Sequence, residues 1–507
     1  METLEAPAPA RPATLRDIAD LPGPPTIPVL GSLHKVRPAI IHRQLEGWSH
    51  EYGPYYRLKL AKRNLLVVSD HEVIATMLRD RPDGFRRSDR LEHIATEMGL
   101  EPGVFGSEGE SWRRQRRMVM AGFDPAHVKA YFPSMAQVAR RLEGRWRKAA
   151  ATGAAIDLQS DLMRYTVDTI AGLAFGAEVN TLESGADVIQ QHLDRIFPAL
   201  FKRILAPFAY WRFVKLPADR ALDHSIAEVK AAIAGFIAAA RERLAADPAR
   251  RADPPNLLEA MIVASDAPDS GLTDREVAGN VMTMLLAGED TTANTLAWMI
   301  YLLNRHPQAR AKARAEVRAH APDPANYSPQ QMGALDYLEA CAHETMRLKP
   351  VAPFNSLVAL RDTVVGALRV PKGTPIFCLL RHDSVDERHV PQAASFLPER
   401  WLADGGPSQV ANSAKRISMP FGAGPRVCPG RYLAMLEIKM AMAVLLGQFD
   451  IASVETPDGG EARETMAFTM YPDGLTMRLR ASSLSDLGRR ERKLAPARTV
   501  FAEFEGP

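Results

Sequence analysis

Cysteine is scarce in this chain, with three residues in 507. Three cannot build a disulfide framework, and an odd count suits a reducing compartment. Cys341 and Cys378 sit in apolar sequence and are expected to be inert core residues. Long hydrophobic runs are missing too. No stretch of about 18 apolar residues occurs, so no membrane-spanning helix is expected. The first twenty residues, METLEAPAPARPATLRDIAD, lack the apolar centre of a signal peptide. One-sided charge is absent: 63 basic against 60 acidic residues give +3, no reason to expect a nucleic acid. No fixed-period repeat and no Gly/Ser linker divides the chain. What remains is ordinary globular composition, 46% hydrophobic and 24% charged. The expectation is a soluble, cytoplasmic protein.

Residues 1–20 are rich in Ala and Pro and read as disordered. LPGPPTIPVLGSL (21–33) follows as an extended entry segment. YYRLKL (55–60) and NLLVVS (64–69), with KRN at the turn, read as a hairpin, and TPIFCLL (374–380) as a further strand. Helical apolar spacing covers 136–150, 161–174, 222–246 and 275–303, and 308–320 reads as a charged, solvent-facing helix. The expected architecture is mainly α with a smaller β region, in one domain over 21–483. A charged tail, 484–507, follows.

The third cysteine lies in FGAGPRVCPG (421–430). Glycines permit backbone conformations that let something flat come close. Helical spacing resumes after Gly430, so Cys428 precedes a helix N-terminus, whose partial positive charge favours a thiolate. Arg426 adds positive charge, and the thiolate is the form that binds metals. A single Cys so placed suits haem iron held by one thiolate. A buried Cys in a tight turn would be the plainer reading of any lone cysteine.

The pattern F-x-x-G-x-R-x-C-x-G, at Phe421, Gly424, Arg426, Cys428 and Gly430, resembles the haem-binding signature of the cytochrome P450 superfamily. Three upstream segments carry the resemblance further. In HETMRL (343–348), Glu344 and Arg347 share one helix face. Alone that pair is commonplace. In the family an E-x-x-R stands about eighty residues before the cysteine, and here the separation is 428 − 344 = 84. The family's third partner matches Arg400 in PERW (398–401), where Trp401 replaces the usual Phe. These three would lock the core behind the cysteine loop. In LLAGEDTT (285–292), a Gly followed by two threonines weakens a helix. The family motif there matches Ala287, Gly288, Asp290 and Thr291, and implies a kink that makes room for O2 and water. Thr291 would hold water by its hydroxyl, and Asp290 would relay protons from solvent. In SWRRQRR (111–117), Trp112 and Arg116 are i, i+4, and the family uses such a pair on a haem propionate. Arg426 and Arg361 match two other propionate positions.

The resemblance implies the cytochrome P450 fold with haem b between the Gly288–Thr291 helix and the Cys428 loop. It implies insertion of one atom of O2 into an organic substrate, with electrons from NAD(P)H. The sequence ends about 80 residues after the cysteine, so no fused reductase is expected. A separate ferredoxin or flavodoxin with its reductase would dock at a basic patch of Arg113, Arg114 and Arg117. Matching pocket positions offer Phe105, Phe197, Phe201, Phe208, Met282, Leu285 and Leu286. Later in the chain they offer Val351, Phe354, Phe468 and Met470. These imply an apolar, bulky substrate such as a fatty acid, terpenoid or steroid. Pro429 has no N–H for the sulfur, which is expected to leave the thiolate more electron-donating. Alternatives are a peroxide-driven hydroxylase or hydroperoxide isomerase, and a non-catalytic haem-binding protein. The Asp290–Thr291 pair argues for O2.

Overall fold

Side-chain caps set where the main helices begin. Thr273 and Glu276 cap each other's backbone at the start of the long central helix, Asp274–Arg305. Asp157 caps Leu158–Phe175, which Gly176 ends in a left-handed turn (φ 59°). Pro217 opens Pro217–Ala246 at its first turn. In this computed structural model, residues 15–482 are described apart from 62, 124, 177–178, 185–187, 207 and 403–413. The segment 136–150 is the later part of a longer helix, Pro125–Thr152, which carries Pro133 inside it. The 308–320 segment is Pro307–His320.

The central helix is continuous through LLAGEDTT. Gly288 serves packing. A Cβ there would stand 2.5 Å from Ile170 Cδ1, so the glycine lets the Leu158–Phe175 helix lie close. Thr166 Oγ1 then donates to the Glu289 carbonyl (3.0 Å). The central helix also packs on Arg431–Gln448, the helix that follows Cys428.

A five-stranded sheet flanks the helices, in the order Tyr55–Leu60, Arg63–Val68, Pro375–Leu379, Phe354–Ala359, Phe85–Arg87. Its first two strands are the expected hairpin. Disorder over all of 1–20 does not hold. Arg16–Asp17 pairs in parallel with Leu368–Val370, because Ile18 and Leu21 bury beside that strand. Residues 1–14 and 484–507 lie outside the described residues. Cys341 and Cys378 are fully buried, and burial pushes the Cys378 thiol up to about 12.

Candidate active site

The cysteine loop is held from three sides. Gly424 (φ 70°) lies so near the His71–Arg79 helix that a Cβ would meet the Leu78 carbonyl at 2.5 Å. The Cys428 amide donates to the Phe421 carbonyl (2.9 Å). Arg116, on the helix Gly109–Gly122, donates to the Val427 carbonyl (2.8 Å). Burial pushes the Cys428 thiol up, while the Gly430 amide, Arg116 and Arg431 pull it down.

Beside the loop is a cluster of buried guanidiniums. Arg426 lies over the Trp112 ring (4.8 Å) and donates to Glu108 (2.6 Å). Arg81 is 3.8 Å from the same carboxylate. Arg87 stacks over Phe105 (3.7 Å). Burial lowers the pKa of all three arginines, most strongly that of Arg87, and their mutual repulsion adds to it for Arg81 and Arg87. Among the described residues, Nε and Nη2 of Arg81 and Nε of Arg87 have no hydrogen-bond partner. Three guanidiniums against one carboxylate leave a buried excess of positive charge that calls for anions. The two propionates of a haem, with its iron on Cys428, fit this donor set.

Neighbours on the central helix point apart. Ala287 is exposed although Leu286 and Glu289 are buried, so it faces open space. Thr291, one turn on, donates its hydroxyl back to the Ala287 carbonyl (2.7 Å). Asp290 turns away. It accepts from Asn294 (2.7 Å) and from Thr469, and Asn294 in turn accepts from Gln159 (3.1 Å). Burial raises the Asp290 carboxyl despite those two bonds.

Thr469 belongs to the turn of a small hairpin, Glu464–Met466 and Met470–Pro472. Phe468 in that turn has φ 105°, a strained value for a bulky residue. Its ring stacks on Phe197 (4.5 Å, 8°) and lies 6.1 Å from Phe105. The Met470 amide donates to the Val351 carbonyl (2.8 Å). Phe201, Met282, Leu285, Leu286 and Met470 are buried in the same core, and Phe354 packs on Phe377.

The lock is assembled completely. Glu344 takes two bonds from Arg347 (2.8 and 2.7 Å) and one from Arg400 (3.0 Å). The Leu397 amide (2.9 Å) and the Trp401 indole (2.8 Å) complete its shell. Arg347 and Arg400 spend their other N–H groups on the carbonyls of Ser384, Ala393, Ser395, Pro391 and Gln392. Burial alone would raise the Glu344 carboxyl, but Arg347 and Arg400 hold it below the ordinary value.

Some expected residues stand elsewhere. Arg361 is at the surface, paired with Asp80 (2.8 Å), because its turn leads the side chain outward after the strand ends. Phe208 is 68% exposed, since the helix Val188–Leu205 ends before it. Arg113 and Arg114 do not join Arg117 in a free basic patch. Arg113 is engaged by Asp83 and Glu110, and Arg114 by Glu276 (3.9 Å). Sequence reasoning missed Arg81, Arg87 and Glu108. The one available signal was the arginine-dense run RDRPDGFRR (79–87), which ends in the short strand Phe85–Arg87.

A lone cysteine in a glycine-bearing loop, beside guanidiniums in want of anions, defines a site of the thiolate–haem class. A family model described as Cytochrome P450 matches residues 21–478, and the chain belongs to that family. Membership implies a haem iron cofactor. The chain is 28% identical to the self-sufficient cytochrome P450 monooxygenase CYP505U2 of Exserohilum turcicum, over 91% of this chain but 42% of that one. It therefore spans less than half the length of that relative. It is 27% identical to cytochrome P450 3A6 of Oryctolagus cuniculus, over 85% of each chain. It is 28% identical to the mitochondrial 25-hydroxyvitamin D-1 alpha hydroxylase of Homo sapiens, over 86% and 87%. The crystal structure of the cytochrome P450DA heme domain superposes with a TM-score of 0.78 at 25% identity, covering 92% of this chain and 99% of that one. No helix among the described residues is long and apolar enough to cross a membrane.

Proposed function

We propose that the chain is a haem-thiolate monooxygenase that inserts one oxygen atom of O2 into a bulky, hydrophobic organic substrate. The observation that carries this is the buried guanidinium excess beside Cys428, which fits a dianionic cofactor such as haem with its two propionates. Cys428 would ligate the iron, and Arg81, Arg87 and Arg426 would hold the propionates. The thiolate-held haem supplies O2 activation.

The protein's own groups then have separable tasks. Thr291, over open space, holds water by its hydroxyl. Asp290, on the neighbouring face, would relay protons from solvent through its carboxyl, whose proton affinity burial raises, by way of the Thr469 and Asn294 side. Phe105, Phe197 and Phe468 form an aromatic wall that excludes water and orients an apolar substrate. A fatty acid, terpenoid or steroid suits such a wall. Electrons come from NAD(P)H through a ferredoxin- or flavodoxin-type partner, and Arg117, exposed beside the cysteine loop's supporting helix, is the docking residue retained.

The test supplies purified protein with an apolar substrate library, NAD(P)H and a ferredoxin system, or with H2O2 alone. Product should form with the reductant system, and Asp290→Asn should lower it by roughly a hundredfold. Product with H2O2 alone would favour the peroxide-driven reading. No product under either condition would favour a haem-binding protein without turnover.

A further inference from the structure

Four histidines and two aspartates converge away from the cysteine loop. They come from the helix Ile41–Tyr52, from the start of His71–Arg79, and from the segment 382–389. Asp383 is the hub. Its Oδ2 accepts the His71 amide (3.0 Å) and His71 Nδ1 (2.8 Å), and its Oδ1 accepts His382 Nδ1 (2.8 Å). A carboxylate only accepts, so both rings donate from Nδ1, and the neutral form of each offers Nε2 as a lone pair.

His382 is 3% exposed, and its Nε2 has no hydrogen-bond partner among the described residues. Its ring lies 4.6 Å from that of His50. One ligand atom each of His50, His382 and Asp386 fall within 4.8 Å of one another. His50 is exposed and Asp386 half-buried, so an ion could enter from solvent. A pinned core histidine would account for the bonds to Asp383. It would not account for a buried, bare nitrogen beside two further ligand residues. An imidazole whose outer N–H is held by a carboxylate is how proteins orient metal-binding histidines. Both oxygens of Asp386 accept from Arg388: Oδ1 from its amide (2.8 Å) and Nε (3.0 Å), Oδ2 from Nε (3.1 Å) and Nη2 (2.7 Å), so an ion would have to displace this exposed guanidinium, which is not itself a member of the trio. A second trio, His71, Asp383 and His389, is poorer, because the Asp383 oxygen it would use is already committed to His71.

We propose that His50, His382 and Asp386 bind a divalent transition-metal ion of the zinc class, with Asp383 orienting His382 and water filling the fourth position. The Ser384 carbonyl, in the same turn, accepts Arg347 Nη1 (2.7 Å). The ion would therefore stiffen the turn on which the Glu344 lock rests. The site is independent of the haem reading.

Haem-loaded protein, stripped with EDTA, is dialysed to equilibrium against micromolar ZnCl2, and bound zinc is measured by elemental analysis. Melting is followed with and without zinc. The parent should hold one zinc per chain and melt higher with it. His50→Ala, a surface change, should weaken zinc affinity by roughly tenfold or more and abolish the rise in melting temperature, with the haem spectrum unchanged. His389→Ala should bind as the parent does. No zinc above background in the parent, equal zinc in parent and His50→Ala, or loss in His389→Ala alone would each overturn the assignment.

Discussion

Two buried clusters of this protein are built from the same residue types and end in opposite states. Around Glu344, two guanidiniums, one amide and one indole close on a single carboxylate, and each arginine also finds backbone carbonyls. Around Glu108, Arg426 and Arg81 reach one carboxylate, Arg87 lies nearby over Phe105, and several of their nitrogens have no partner among the described residues. The first is closed on itself and serves the fold. The second is incomplete as protein alone, and incompleteness in a buried charge cluster marks a place for a ligand.

Breaking the closed cluster should cost most. Glu344→Ala strands two buried guanidiniums and should destabilise the chain by about 3–5 kcal/mol, read from denaturant midpoints. The same variant should change acid sensitivity. The Glu344 carboxyl is held below its unfolded value, so its stabilisation is complete above about pH 4.3 and is lost as the pH falls through its folded value. Unfolding free energy against pH should thus fall less steeply on the acid side in Glu344→Ala than in the parent.

The open cluster should respond with the other sign. Arg87→Met removes an uncompensated charge, so the haem-free protein should be as stable as the parent or more so. Haem retention, measured by transfer to apomyoglobin, should weaken by roughly 10–100-fold, the loss of one charge-assisted bond of about 1.5–3 kcal/mol. A destabilised haem-free Arg87→Met with unchanged haem retention would erase the distinction between the clusters. A smaller effect is expected at the edge of the closed cluster. Trp401→Phe deletes one of five bonds to Glu344 and should cost about 1.5 kcal/mol in thermal or denaturant unfolding.

The closed cluster was largely legible in the sequence, because Glu344 and Arg347 share a helix face and PERW supplies Arg400. The indole bond of Trp401 was not, since it depends on a ring orientation set by stacking on His343 (5.0 Å). The open cluster was half legible. Trp112 and Arg426 are implied by the family resemblance, but Arg81 and Arg87 sit in a run that reads as surface charge. Strand register turns Arg87 inward, since it pairs across from Leu357, an apolar residue on the neighbouring strand, and Arg81 is buried in the turn that precedes the strand. Arg361, four residues beyond Leu357, carried the expected charge on the wrong side of the strand's end. The helix over 275–303 was legible from its apolar spacing. The packing role of Gly288 was not, because it is explained by Ile170, a residue more than a hundred positions away.

The most direct test of the account is the absorption spectrum of the reduced, CO-bound protein and of Cys428→Ala. A red-shifted Soret band in the parent, lost in the variant while haem is retained, is the expected result and puts the Cys428 thiolate on the iron. A folded, haem-loaded parent without that band, or a variant that keeps it, would contradict the assignment of Cys428.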